Sequence, residues 1–134
     1  MAQGALSDKP LSPHLQIWRF TVTMAASITH RGTGVVLYGG TALLAGWLLA
    51  IGMNAPIYSA IAGFVNSPIG FIVIAGYIWS LCFHLFNGLR HLYWDAGRGF
   101  AVGMAKMTAW LVYLAATILA IIIIWAGMIS KGVS

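Results

Sequence analysis

Three long runs of apolar residues dominate the pattern along this chain. The windows Gly32–Asn54 and Met107–Ser130 contain no charged side chain, and Ser67–Leu89 contains one ionisable group of consequence, His84. Each run exceeds the roughly 20 apolar residues that a helix needs to cross a hydrocarbon layer of about 30 Å. The pattern therefore predicts an all-α membrane protein with three transmembrane helices.

The segments between these runs indicate a single transmembrane anchor domain over residues 1–134. We predict spans at approximately 22–53, 67–91 and 106–130, preceded by a tail over residues 1–20 whose second half lies against the membrane face or a partner. The stretch MNAPIYSAIAGFVNS is interpreted as a loop. The N-terminal MAQGALSDKP lacks the apolar core of a signal peptide and the arginines of a mitochondrial transit peptide.

Charged residues make up only 7% of the chain, against about a quarter in a soluble domain, so lipid or other subunits must cover its surface. The net charge of +5 does not indicate nucleic-acid binding, because the basic residues sit at the ends of the spans. All but Lys131 lie before the first apolar window or between the second and third windows: Lys9, Arg19, Arg31, Arg90, Arg98 and Lys106. The positive-inside rule then predicts a cytoplasmic N-terminus and a periplasmic C-terminus in a bacterial inner membrane, or the matrix as the inside in a mitochondrial inner membrane.

A polar stripe runs along the second span, where Tyr77, Ser80, His84, Asn87 and His91 recur at steps of three and four. This spacing keeps their side chains on one helix face. Hydrogen bonds between helices account for Ser80 and Asn87. An imidazole inside a bilayer is costlier, and such groups usually mark a functional site.

His84 is a candidate axial ligand of haem iron. It lies six residues, or about 9 Å, inside Arg90, and Gly88 would let a flat macrocycle approach the helix. The backbone carbonyl of Ser80 could hold the other ring nitrogen. A structural histidine held by hydrogen bonds is the alternative. Because the chain has no second deep histidine, a haem with two imidazole ligands would take the other from a different subunit.

The entry to the first span, SITHRGTG, is the second candidate site. Ser27 and Arg31 are four residues apart and share a helix face, with His30 beside them. They could donate hydrogen bonds to a carbonyl ligand or to haem carboxylates, facing Arg90 and His91 across the bundle. Alternatively, Arg31 extends to the lipid headgroups and has no further role.

The blocks KPLSPHLQIW, SITHRGTG and FHLFNGLRHLYWD, in this order, resemble the cytochrome b556 membrane-anchor subunits of succinate dehydrogenase, respiratory complex II. The first block departs conservatively, with Lys9 and Trp18 where the family usually has Arg and Tyr. The resemblance implies that His84 is a haem b ligand, that Ser27 and Arg31 line a quinone site, and that other groups lie near the haem propionates or the quinone-side surface. His30 and His91 would lie near the propionates. Asp95 would lie near the quinone-side surface, and its role is open.

The resemblance also implies partners: a flavoprotein, an iron–sulfur protein and a second small anchor supplying the other haem ligand. FAD and iron–sulfur clusters would belong to those partners, and ubiquinone or another quinone would be the substrate here. The two acids, Asp8 and Asp95, cannot support succinate oxidation, so no activity is expected of this subunit alone. A haem-free anchor of a fumarate reductase-type complex is the main alternative. A transporter subunit is disfavoured because the outer half of every span is apolar.

Overall fold

The computed structural model describes residues 19–53 and 57–132, which form four α-helices. These are α1 (Val22–Gly52), α2 (Ile57–Val65), α3 (Pro68–Asp95) and α4 (Val102–Gly132). Helices α1, α3 and α4 are long and apolar enough to cross a membrane, and no strand occurs in the described ranges. The prediction of an all-α protein with three spans is therefore confirmed. Residues 1–18 of the predicted interfacial tail lie outside the described residues.

The segment interpreted as a loop between the first two spans instead contains the short helix α2. Its nine residues are too few to cross a bilayer. The turn that follows α2 closes where the Ser67 backbone N–H and hydroxyl both donate to the Phe64 carbonyl, at 2.9 and 2.7 Å. The Ser67 hydroxyl then accepts from the Gly70 N–H at 3.1 Å and caps α3, with Pro68 in the first turn.

A tight turn joins α3 to α4 and depends on two glycines. Gly97 and Gly99 have φ of 75° and 81°, a left-handed conformation that costs glycine little. The Trp94 indole N–H donates to the Gly99 carbonyl at 3.3 Å and holds the turn against α3. The turn makes α3 and α4 antiparallel, so that the start of α1, the end of α3 and the start of α4 meet at one end. We call this the basic end, since it carries Arg19, Arg31, Arg90, Arg98 and Lys106.

The core lies mainly between α3 and α4 and is built from small residues. Cys82 and the fully buried Phe83 of α3 pack against a row on α4 that includes Ala109, Ala116 and Ala120. Small side chains at this spacing let membrane helices approach closely. The Thr29 hydroxyl of α1 hydrogen-bonds the Tyr113 hydroxyl of α4 at 2.8 Å, which adds the third helix. Many large apolar side chains point outward, as expected where lipid or another subunit forms the solvent.

A buried arginine fastens α3 to α4 at the basic end. Arg90 is only 5% exposed, and its guanidinium donates to three neutral groups. These are the Thr108 hydroxyl at 3.1 Å, the Asn87 side-chain oxygen at 3.3 Å and the Ala105 carbonyl at 3.1 Å. The guanidinium carbon also lies 4.0 Å from the centroid of a Trp94 ring, a cation–π geometry. Arg90 is therefore part of the packing between these two helices.

Replacing Arg90 with alanine is expected to destabilise the chain by about 2 kcal/mol, because buried polar groups lose their charged donor. Arg90→Lys should restore little of this loss, since an ammonium cannot reproduce the planar guanidinium fork. The measurement is thermal unfolding of the detergent-solubilised protein, with the exposed Arg98→Ala as a charge-matched control. Equal melting temperatures for Arg90→Ala and the control would contradict the structural role.

Candidate functional site

Three histidines from two distant sequence blocks come together where α1 meets α3 at the basic end. The His30 and His84 rings are stacked, with centroids 3.9 Å apart and planes 16° from parallel. The His91 ring lies 5.3 Å from that of His30. His30 thus lies beside His84, and His91 lies on the far side of the pair, next to His30. The role predicted for each of them stays a prediction.

The ring of His84 is held by a residue that the sequence analysis did not consider. Its Nδ1 lies 3.3 Å from the hydroxyl oxygen of Thr33 on α1. The prediction that the Ser80 carbonyl is this partner is wrong, because the imidazole points toward α1 and not back along α3. The Ser80 hydroxyl itself donates to the Gly76 carbonyl at 2.8 Å.

A glycine makes room for this imidazole. A Cβ at Gly34 would come within 3.3 Å of His84 Cε1, closer than most such contacts. The absence of a side chain at Gly34 therefore lets the candidate ligand lie close to α1. At Gly88, by contrast, a Cβ would meet no atom within 4 Å, so the space beside that helix turn is open.

The donor chemistry of this cluster fits a haem. With Nδ1 of His84 engaged by Thr33, the other ring nitrogen, Nε2, is left for a metal. Its lone pair lies in the ring plane, whereas the stacked His30 covers the ring face, so stacking does not block ligation. His30 Nδ1 is buried without a hydrogen-bond partner, a polar atom whose surroundings are incomplete in the chain alone.

The described residues contain no group of three or more His, Cys, Asp or Glu side chains able to hold a metal ion. A single imidazole is sufficient as this chain's contribution to a haem iron, because the porphyrin supplies the equatorial ligands.

Ser27 and Arg31 form a polar pair on the exposed side of α1. The Arg31 guanidinium reaches back to the Ser27 carbonyl at 3.4 Å and to its hydroxyl at 3.5 Å, both long contacts within one helix turn. At about 100° per residue, this pair points roughly a quarter turn away from the face that His30 presents to α3. Both side chains are exposed, so their donors are available to a group outside the three-helix unit.

Arg90 and His91 were both expected to face the SITHRGTG segment of α1 across the bundle, and only His91 does so. His91 turns toward α1 and also meets the Trp94 ring edge-on, with centroids 5.2 Å apart. Arg90 turns toward α4, and Asn87, at the edge of the predicted stripe, follows it and is fully buried. Asp95 is the last residue of α3 and is exposed, so its position at the basic end agrees with the expectation while its role stays open.

Thr33 is the site residue that sequence reasoning missed. Its only signal was its place in SITHRGTG, within one helix turn of His30 and next to Gly34. Periodicity within one helix cannot show that it meets a ring 51 residues further along the chain. That contact depends on how α1 and α3 pack.

Comparison with known proteins covers most of the chain. Residues 5–124 match the family of succinate dehydrogenase/fumarate reductase transmembrane subunits. The succinate dehydrogenase cytochrome b556 subunit of Paracoccus denitrificans is 35% identical over 122 residues, 91% of this chain and 94% of that protein. The subunit of the same name from Rickettsia felis is 33% identical over 121 residues, covering 90% and 94%. The mitochondrial cytochrome b560 subunit of Mus musculus is 35% identical over 118 residues, covering 87% and 68%.

Proposed function

The chain belongs to the family of succinate dehydrogenase/fumarate reductase transmembrane subunits, and from this premise we propose that it is the cytochrome b anchor of a succinate:quinone oxidoreductase. In this role it binds haem b and forms part of the site at which quinone receives electrons from an iron–sulfur subunit. The observation that carries the proposal is the His84 imidazole, whose Nδ1 is engaged by Thr33 while Nε2 is left for iron.

His84 would hold the haem iron through Nε2, and a second small anchor subunit would supply the other protein ligand. His30 and His91 lie within reach of the same region and would contact the propionates. When bound, haem b supplies a one-electron acceptor and donor close to the quinone. The protein's contribution is to fix the imidazole and to keep this part of the helix packing closed to water.

Ser27 and Arg31 would bind the quinone by donating hydrogen bonds to one of its carbonyl oxygens. That oxygen gains negative charge as the quinone is reduced, and donors already aimed at it lower the energy of the step. Because both side chains are exposed, partner subunits must complete the pocket and exclude lipid and water from it. The contacts between Arg31 and Ser27 are long and easily exchanged for contacts with a substrate.

Succinate oxidation would take place in a flavoprotein, and electrons would pass through an iron–sulfur protein docked at the basic end. The excess of basic residues there supports a cytoplasmic orientation of that end in a bacterial inner membrane. The matrix side of a mitochondrial inner membrane is the corresponding alternative. Electrons would then enter the membrane on the side where Ser27 and Arg31 lie.

A haem-free anchor of a fumarate reductase-type complex is the second candidate. One observation favours it: the His84 ring already has a hydrogen bond and a stacking partner within the chain. In that case the histidine cluster would serve only to pack α1 against α3.

Purification of the complex from native membranes separates these candidates. We expect a flavoprotein, an iron–sulfur protein and a second small anchor to copurify with this chain. A dithionite-reduced minus oxidised spectrum should show a b-type α-band, with haem equimolar to flavin. A complete complex without the band would favour the haem-free anchor. Absence of the flavoprotein and iron–sulfur protein would contradict both candidates.

A further inference from the structure

Thr33 occupies a buried position between two of the clustered histidines. It is 5% exposed, and its hydroxyl oxygen lies 2.9 Å from the His30 carbonyl and 3.3 Å from His84 Nδ1. A carbonyl oxygen can only accept, so the single hydroxyl proton of Thr33 is donated to it. The hydroxyl can then only accept from His84, which requires the proton of a neutral imidazole to be on Nδ1.

This hydrogen-bond arrangement selects one of the two tautomers of the His84 imidazole. With the proton on Nδ1, the lone pair is on Nε2, the form in which histidine binds a metal. In the opposite tautomer Nδ1 could not donate, and the Thr33 hydroxyl would have to give up its shorter bond to the His30 carbonyl, 2.9 Å against 3.3 Å, in order to donate to Nδ1. The backbone of α1 therefore determines, through one side chain, which nitrogen of an α3 residue is free.

We propose that Thr33 is a positioning residue for the axial histidine: its hydroxyl accepts the Nδ1 proton of His84, sets the ring orientation and presents Nε2 to the haem iron. This inference rests on the proposed ligation of haem by His84. An acceptor on Nδ1 also strengthens electron donation from the imidazole to iron, which favours the ferric state. Gly34 supports the arrangement by allowing the ring to lie against α1.

An ordinary role for Thr33 would be a hydrogen bond along its own helix. Thr41 has such a role: its hydroxyl donates to the Leu37 carbonyl at 2.8 Å, and the residue is exposed. Thr33 differs because it is buried and has a second partner on another helix. Thr41 is therefore the matched control, with the same residue type on the same helix but no imidazole.

The test uses the assembled complex carrying Thr33→Val, Thr33→Ser or Thr41→Val. Two quantities are measured: the rate of haem loss to excess apomyoglobin and the midpoint potential of the haem in a redox titration. We expect Thr33→Val to lose haem about tenfold faster, the lower limit usual for removing such a supporting hydrogen bond, and to shift the potential upward. Thr33→Ser keeps the hydroxyl and should stay close to the parent protein, as should Thr41→Val.

Unchanged haem loss and potential in Thr33→Val would overturn the inference, and so would a Thr33→Ser variant that behaves like Thr33→Val. If Thr33→Val does not assemble, Thr33→Ala and Thr33→Ser form a second pair that differs only by the hydroxyl oxygen. Parent-like haem loss and potential in Thr33→Ala, or equal values in Thr33→Ala and Thr33→Ser, would then overturn the inference. A parent complex without haem would instead refute the proposed function, on which this inference rests, and is recognised from the spectrum before any variant is compared.

Discussion

Replacing Arg31 with alanine is expected to lower succinate–quinone turnover about a hundredfold, while reduction of an artificial dye by the soluble subunits stays unchanged. The guanidinium is exposed on α1, and its hydrogen bonds within residues 19–53 and 57–132 go to Ser27, so in the proposed site it is a donor to the quinone and does not support the fold. Loss of one donor to an oxygen that becomes negative typically costs about 10²–10³ in rate. Both activities are measured on the same purified complex.

The control for Arg31→Ala is Lys106→Ala, which removes one positive charge from the same end of the bundle at another exposed residue. It should leave both activities close to those of the parent complex. A parallel fall in quinone and dye reduction by Arg31→Ala would indicate faulty assembly. Full quinone turnover in that variant would show that Arg31 only extends to the lipid headgroups.

Replacing His84 with alanine is expected to remove the b-type α-band completely while the subunits still assemble. In the proposed site the imidazole of this residue is the ligand that the chain offers to iron, and its removal would leave a space beside Thr33 and Gly34. The measurement is haem per flavin in the purified complex, with a reduced minus oxidised spectrum. Leu85→Ala, at an exposed neighbouring position, is the control and should retain haem.

Free imidazole provides a second arm of the His84 experiment. If His84 is a ligand, imidazole added with haem should enter the space left by alanine and restore a low-spin b-type spectrum. A purely structural histidine would give no such recovery. An unaltered spectrum in His84→Ala before any addition would refute the ligand assignment.

Much of the fold followed from the sequence because membrane spans depend on local composition. Each long helix contains most of one apolar window, and the requirement for length is the same whatever the helix packs against. Helix α2 was missed because its nine residues are too short to give either a span or a convincing amphipathic pattern. A short apolar segment between two spans is equally compatible with a loop.

The site was predicted less completely because it depends on packing between helices. Periodicity grouped His84 with His91 on one face of α3, and both do lie toward α1. The same periodicity included Asn87, which instead joins Arg90 against α4, since a stripe about 80° wide can face two neighbours at once. Thr33 could not be identified at all from a single helix.

The buried position of Arg90 has a consequence for biogenesis. A helix α3 released alone from the insertion machinery would expose a guanidinium to hydrocarbon, at a cost of about 2.5–3.5 kcal/mol near the bilayer centre and less toward its edge. Its acceptors on α4 are supplied only when the next span arrives. Helices α3 and α4 are therefore expected to leave the translocon as a hairpin, with the Gly97–Gly99 turn formed before either helix is surrounded by lipid.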